Sequence, residues 1–255
     1  MVHPDVAGFG VAADAYERGR PDYPVEVVTF LASAAGLGPG SVVVDLAAGT
    51  GKFTRLLHSA LDGRGVNIVA VEPVAEMRAH LEASLPDVEA VDGTAESMPL
   101  PDGSADCVTA AQAFHWFAND EALAEIARVL RPNGKLALVW NMRDLTQPLQ
   151  AEIGRLVTSY RSDRTPSHGS GKWRSVIDAS PLFGIDEELL VPYVQMVSRV
   201  TAVDRVASTS FVALLPEDQK RELLAGVEAA LPESAGEEPT VELHYVTEAF
   251  VCGRR

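Results

Sequence analysis

Two cysteines in 255 residues are too few for a disulfide framework, and neither Cys107 nor Cys252 stands in a Cys-x-x-Cys or histidine-rich setting that would hold a metal. Both fall in apolar, strand-like stretches, so two buried thiols in a reducing compartment are expected. Positive charge is scarce as well. Against 36 Asp and Glu there are 21 Lys and Arg, a formal charge of −15. A surface this acidic repels polyphosphate and no basic run offsets it, so nucleic acid is not an expected partner. The densest group of cations, Arg155, Arg161, Arg164, Lys172 and Arg174, reads as a solvated face or as a patch for an anionic acceptor, and the solvated face is preferred. Long apolar runs are also missing. No stretch reaches the ~18 consecutive apolar residues of a membrane span, and residues 1–10 lack a charged start followed by an apolar run. A cytoplasmic protein with no membrane partner is the expectation.

What is present is ordinary globular composition, 47% hydrophobic and 22% charged, patterned in a particular order. Between residues 41 and 142, short apolar runs at 42–46, 66–72, 88–92, 106–111 and 135–141 alternate with helical patterns at 52–60, 74–83 and 120–130. That alternation predicts a mostly parallel sheet with right-handed crossovers. Pro39-Gly40, Pro101-Asp102-Gly103 and Arg131-Pro132-Asn133-Gly134 punctuate it, and Asn119 or Asp120 can cap the helix that follows. A further helix is expected over 24–35. Beyond residue 142 the pattern predicts a helix over 146–160, an exposed mobile loop over 162–172, a strand over 188–199, helices over 204–214 and 217–230, and a final strand over 241–252.

The most informative stretch is Val42-Val43-Val44-Asp45-Leu46-Ala47-Ala48-Gly49-Thr50-Gly51-Lys52-Phe53. An apolar strand enters a turn of small residues and leaves as a helix. Glycines at 49 and 51 permit tight backbone and close ligand approach, and amides at the helix start are expected to offer donors to an anion. A Walker A loop fails here, because Leu46 replaces its first glycine and Phe53 its magnesium-binding Ser or Thr. A dinucleotide fingerprint has two glycines but Thr54 in place of the third. The pattern D-x-x-x-G-x-G of S-adenosylmethionine (SAM) sites is met in register by Asp45, Gly49 and Gly51. An acid at the end of the next strand, Glu72, is placed to accept from both ribose hydroxyls, although NAD carries the same ribose. A tight turn without a ligand is the plain alternative.

On these residues the chain resembles the class I SAM-dependent methyltransferases, and within them the small-molecule branch of trans-aconitate methyltransferase-like proteins. The resemblance is strongest over residues 41–141. It is weaker at Tyr16 and Arg20-Pro21-Asp22-Tyr23-Pro24 and at the last strand. It implies an α/β Rossmann-like doubly wound sheet of seven strands, mostly parallel with an antiparallel last strand, plus a helical cap. A single domain over 1–255 is expected: N-terminal cap helices at 1–40, a SAM-binding core at 41–142, cap helices with the mobile loop and sixth strand at 143–240, and the last strand at 241–255. The cofactor implied is SAM, with S-adenosylhomocysteine as product.

By the same resemblance, the methionine part lies on Asp45, Ala47, Gly49 and Gly51, and the adenosine on Glu72, Pro73 and Met77. The turn Thr94-Ala95-Glu96 contacts adenine; many relatives carry Asp where this chain has Thr94, which leaves the Ala95 backbone to read the ring edge. Ala111, Gln112 and Trp116 come from Ala111-Gln112-Ala113-Phe114-His115-Trp116-Phe117, similar to a His-Trp-Phe stretch of that branch, and Tyr16 and Arg20 complete the cofactor set.

Methyl transfer from a sulfonium is an in-line displacement that positioning and desolvation largely accelerate, so a general base is optional. His115 is the candidate base; a packing role beside Trp116 is its alternative. His168 lies in the mobile loop, from which it could reach a closed site, and a solvated loop residue is the preferred reading. Phe9, Asn141, Arg143 and Trp173 are candidate acceptor contacts, with helix packing the alternative for Trp173 and a surface ion pair for Arg143. Residues 9–23 and 162–172 are expected to close over bound ligands. The partner expected is a small-molecule acceptor, methylated on oxygen or carboxyl; nothing selects between monomer and homodimer. A non-catalytic SAM-binding protein remains open, and so, with less support, does an NAD-dependent oxidoreductase, which needs a third glycine and a catalytic Tyr/Lys or His pair.

Overall fold

A computed structural model of the chain describes residues 20–162, 165–233 and 240–255. Strand β1 (Val42–Leu46) leads through the glycine turn into α2 (Lys52–Leu61), and α1 (Val25–Ala34) precedes it. Then follow β2 (Asn67–Val71), α3 (Ala75–Ser84), the short β3 (Glu89–Val91), β4 (Ala105–Ala111), α4 (Asp120–Val129) and β5 (Leu130–Arg143). Asn119 caps α4, its side-chain oxygen accepting from the Ala122 amide at 2.8 Å. Residues 131–134 bulge out of β5, since Ala105 pairs with Leu130 but Cys107 pairs with Lys135.

The seven strands lie in the order β3-β2-β1-β4-β5-β7-β6, with β6 at Phe183–Ser198 and β7 at Thr240–Arg254. Pairs within the first five are parallel, and β7 runs antiparallel to both its neighbours. The strand runs are apolar because both faces are covered. On one face Val44, Val108, Leu136 and Leu138 pack with Leu123 and Ile126 of α4; on the other Val43, Cys107, Ala137 and Val139 pack with Val28, Leu31 and Leu57 of α1 and α2. Cys107 and Cys252 sit in these cores, and burial pushes both thiols up to about 12.

The antiparallel pair of β6 and β7 outruns the rest of the sheet. Pairing of β5 with β7 stops at Arg143 opposite Tyr245, whereas β6 stays paired to β7 as far as Ser198 opposite Thr240. The overhang carries a second core, built from Val197, Leu243 and Tyr245 with Ile153 of α5 (Pro148–Ser159), Ala202 and Val206 of α7 (Arg199–Ala207), and Leu223 and Val227 of α9 (Glu217–Ala230). This is the cap.

Three expectations are corrected here. The helix expected over 204–214 is two, α7 and the short α8 (Ser210–Ala213), starting at the Ser198 cap. Ser208 Oγ and Thr209 Oγ1 both donate to the Arg205 carbonyl, at 3.0 and 3.4 Å, competing with the helical ladder where it breaks. Strand β6 begins at Phe183, five residues earlier than its alternation suggests. Within the stretch expected as a loop, residues 168–170 form a 3₁₀ turn, followed by α6 (Lys172–Ala179).

Candidate functional site

The carboxyl ends of β1 and β4 lie side by side where the strand order reverses, the place where an open α/β sheet leaves a crevice. A cavity of about 950 Å³ fills it. Ligand pockets span roughly 300–1,000 Å³, so there is space for more than one small molecule. The cavity has two ends.

The first end is made of strand-to-helix turns. Ala47 and Gln112 close β1 and β4, and both hold left-handed backbone, φ 57° and 56°, although neither is glycine. Such conformations cost on the order of 1–3 kcal/mol each and gather at ligand clamps. Gln112 is held there by its amide donating to the Val139 carbonyl at 2.7 Å and by Nε2 donating to the Asn141 carbonyl at 3.0 Å.

Glu72 stitches this end together. Its Oε2 accepts from the Gly49 amide at 2.8 Å and its Oε1 from the Val74 amide at 2.9 Å. Burial raises its pKa, against those bonds and the Arg78 charge, which lower it. Each carboxylate oxygen retains a second lone pair, and the residue lines the cavity. Pro73, Met77, Ala111 and Trp116 line the same end, beside the turn in which Thr94 and Ser97 exchange backbone bonds at 3.1 and 3.2 Å. That turn turns Ala95 and Glu96 to the cavity, and Asn119 Nδ2 donates to Glu96 at 3.3 Å.

Two expected contacts act from beneath. Asp45 is 1% exposed and does not line the main cavity. It accepts from Thr54 Oγ1 at 2.6 Å and from Thr109 Oγ1 at 2.9 Å, tying the loop to α2 and β4. Burial outweighs those two bonds and pushes its pKa up to about 6. Gly51 lies outside the main cavity too: its φ is +84°, and a Cβ there would sit 2.8 Å from Leu81 Cγ, so glycine is needed for close packing of α2 on α3. The expected fan of donors is also reduced. The amides of Ala48, Gly49 and Gly51 already donate to Val71 O, Glu72 Oε2 and Ala48 O. Positive charge at this end comes instead from Arg20, which lines both the main cavity and the small cleft over Asp45. Tyr16 and Phe9 lie outside the described residues.

His115 lines the cavity where its two ends meet. Its Nδ1 accepts from Trp140 Nε1 at 3.2 Å, and an indole N–H can only donate. Burial, then the charges of His168, Arg20 and Arg161, push its pKa down to about 3. The neutral ring therefore carries its proton on Nε2 and presents a donor. This opposes the expectation of a general base.

At the far end the expected contacts divide. Asn141 borders the cavity, but Nδ2 donates to the Asp22 carbonyl at 2.9 Å and Oδ1 accepts from Thr247 Oγ1 at 2.6 Å, so its amide holds the chain together. Arg143 lines the cavity, and among the described residues it forms no surface ion pair. Trp173 is corrected: it is 3% exposed, packs on Trp140 at 4.6 Å and Phe250 at 5.0 Å between ring centroids, and is absent from the lining. His168 is corrected in the other sense. It is not solvated but stacks on Trp173 and packs at a tilt against Trp140, its Nε2 3.1 Å from Glu248 Oε2, and it walls the cavity with Thr165, Pro166 and Ser167. Among the lining residues not singled out as site residues from the sequence are Arg161, Arg205, Phe211 and Tyr245. The cap core at 197, 202 and 206 gives the only local signal, an apolar spacing that marks α7 as packed but not which polar residue faces inward.

Comparison with known proteins agrees with this architecture. The model of a methyltransferase domain family matches residues 44–138. An uncharacterized methyltransferase-like protein of Schizosaccharomyces pombe is 37% identical over 253 residues, covering 96% of this chain and 95% of that one. An uncharacterized methyltransferase of Mycobacterium tuberculosis is 39% identical over 253 residues, covering 96% and 94%. Among solved structures, a protein from Anaeromyxobacter dehalogenans assigned by inference to the type II methyltransferases superposes with a TM-score of 0.67 at 22% identity, over 92% of this chain and 97% of that one.

Proposed function

The chain belongs to the class I SAM-dependent methyltransferases, and on that premise we propose that it methylates an oxygen, hydroxyl or carboxyl, of a small-molecule acceptor held in the cap end of the cavity. One observation carries this reading: a single cavity runs from the Glu72 turn to the cap, large enough for cofactor and acceptor side by side. A walled cavity in an acidic chain suits a small molecule better than a nucleic acid. Among the described residues no helix is long and apolar enough to cross a membrane, and a cytoplasmic setting is part of the proposal.

The residues present fit the cofactor. Glu72, a buried carboxylate that lines the cavity, would accept from the ribose hydroxyls; Arg20 would pair with the amino-acid carboxylate, and Ala95 and Glu96 would border the base. When bound, SAM supplies a methyl group already activated on a sulfonium. The chain's part is then positioning and exclusion of water. Strained Ala47 and Gln112 fix the floor, the wall at 165–168 closes the side, and neutral His115 adds no positive charge beside a cationic centre. His115 Nε2–H would orient the acceptor by donating to it; an ionised carboxylate needs no base, whereas a hydroxyl acceptor would release its proton to solvent as its oxygen takes the methyl group and the sulfur–methyl bond breaks.

Incubation of the purified protein with methyl-labelled SAM and a fractionated small-metabolite extract tests the proposal. Label is expected in a low-mass fraction. If label enters nothing while SAM binding is normal, the chain binds the cofactor without using it.

A further inference from the structure

We infer that Asp22 is a positioning residue for the cofactor: with Lys52 it pins the segment that carries Arg20 over the turn end, and so sets the preference of the site for a nucleoside that bears an amino-acid carboxylate. The inference rests on the methyltransferase reading and names residues behind one part of it.

Arg20 and Pro21 line both the main cavity and the small cleft over Asp45. Residues 20–24 lie ahead of α1 and belong to no helix or strand, so no regular backbone bonding holds the Arg20 side chain in place. Side chains from three distant elements do so instead. Lys52 Nζ, at the first residue of α2, donates to the Arg20 carbonyl at 2.9 Å and to Asp22 Oδ1 at 3.0 Å. Gln195 Nε2, from β6, donates to Asp22 Oδ2 at 2.9 Å. Asn141 Nδ2, near the end of β5, donates to the Asp22 carbonyl at 2.9 Å. The other half of the Gln195 amide accepts from Arg205, which fixes which half faces Asp22. Tyr23 adds an edge-on contact with Phe53, 5.0 Å between ring centroids.

Two features set this staple apart from an ordinary surface ion pair, which contributes little. The first is the place of Lys52. A cation in the first turn of a helix opposes the helix dipole, and α2 has no acid in that turn to offset it. Its side chain is only 15% exposed, and its ammonium is taken up by the 20–22 segment. The Gly51-Lys52 pair, a fragment of a phosphate loop in the sequence, thus serves another purpose.

The second feature is the sign of Asp22. It stands two residues from the arginine that would receive the cofactor's carboxylate, where its own negative charge opposes an anion. Its benefit lies in what it holds. Ordering a loop and a long side chain at the moment of binding weakens affinity, and a segment already tied to α2, β5 and β6 avoids much of that loss. Charge and anchoring therefore predict opposite outcomes when Asp22 is removed.

The test is calorimetric titration of the full chain with S-adenosylhomocysteine and with 5′-methylthioadenosine, the same kind of nucleoside thioether without the amino-acid group. Asp22→Ala should bind S-adenosylhomocysteine roughly fivefold or more weakly than the parent, while its affinity for 5′-methylthioadenosine changes less than about twofold. Asp22 is 58% exposed in its side chain, so the variant is expected to fold. Asp22→Asn, which keeps an acceptor for Lys52, should fall between parent and Asp22→Ala. Lys52→Met should show the same selective loss. In an Arg20→Ala background Asp22→Ala should cost nothing further, because no guanidinium is left to place. Equal or tighter binding of S-adenosylhomocysteine by Asp22→Ala, an equal loss for both ligands, or a further loss in the Arg20→Ala background each overturns the proposal. A parent that binds neither ligand would instead overturn the methyltransferase reading, and this inference with it.

Discussion

The two ends of the cavity are built by opposite means. The turn end comes from short contiguous segments, each at the carboxyl end of a strand, with buried acids, Asp45 and Glu72, as its organising charges. The cap end draws Arg143, Arg161, Arg205 and Tyr245 from four elements spread over a hundred residues, and its organising charges are positive. On the proposed function the first end would take the cofactor that every member of the family shares, and local sequence specifies it; the second would take the acceptor, and long-range placement specifies it.

The hardest way to break the contrast is at Glu72. Glu72→Ala removes the acceptor of two backbone amides as well as the ribose contact, and a lost charge-assisted hydrogen bond costs about 1.5–3 kcal/mol. A fall in SAM affinity of at least roughly 100-fold is expected by titration, since two charge-assisted bonds to the ribose together are worth about 3–6 kcal/mol, and loss of the two backbone bonds should lower the melting temperature. Binding at the cap end should survive in the folded fraction.

Next comes Gly51→Ala. A side chain at φ +84° that meets Leu81 at 2.8 Å combines a left-handed backbone cost with overpacking, together about 2–4 kcal/mol of stability. Denaturant melts should show that loss, whereas Gly38→Ala, where nothing lies within 4 Å, should show little.

Asp45 offers a pH test of the same end. A carboxyl whose folded pKa of about 6 exceeds its unfolded 3.8 holds its proton more tightly when folded. Its contribution is therefore fully present below about 3.8 and is lost as pH rises to about 6, by up to about 3 kcal/mol. Asp45→Asn cannot titrate. The stability difference between parent and variant should thus shift across pH 4–6 in favour of the variant, and a flat difference would show that Asp45 is not held above its usual range.

The smallest effect is expected where the ends meet. With a folded pKa of about 3, His115 is neutral at every working pH. The kcat profile between pH 5 and 8 should contain no limb that His115→Gln abolishes, and the variant, which keeps an amide donor, should lose less than tenfold in rate. Disappearance of a limb near 6.5 would restore His115 as a base.

How much of this the sequence disclosed follows from the same contrast. Apolar runs and turn residues placed each core strand within a few residues, because a strand buried on both faces leaves an unbroken signature, as at Val42–Leu46. The glycine turn, Glu72 and the segment at 111–116 were likewise readable, since their spacing along one chain is their geometry. What sequence could not separate was contact from support: Asp45 and Gly51 belong to the motif yet act from beneath it. The aromatic cluster was less legible still. Trp173 and His168 follow a polar loop, but their partners Trp140 and Phe250 lie in β5 and β7. Arg205 was invisible for the same reason, because only the overhang of β6 and β7 gives α7 a cavity to face.

The most direct measurement is calorimetric titration of the parent protein and Glu72→Ala with SAM, alongside NADH. The account predicts one SAM site per chain in the parent, a collapse of that affinity in the variant, and no heat from NADH. Equal SAM affinity in the two proteins, or binding of NADH alone, would contradict it.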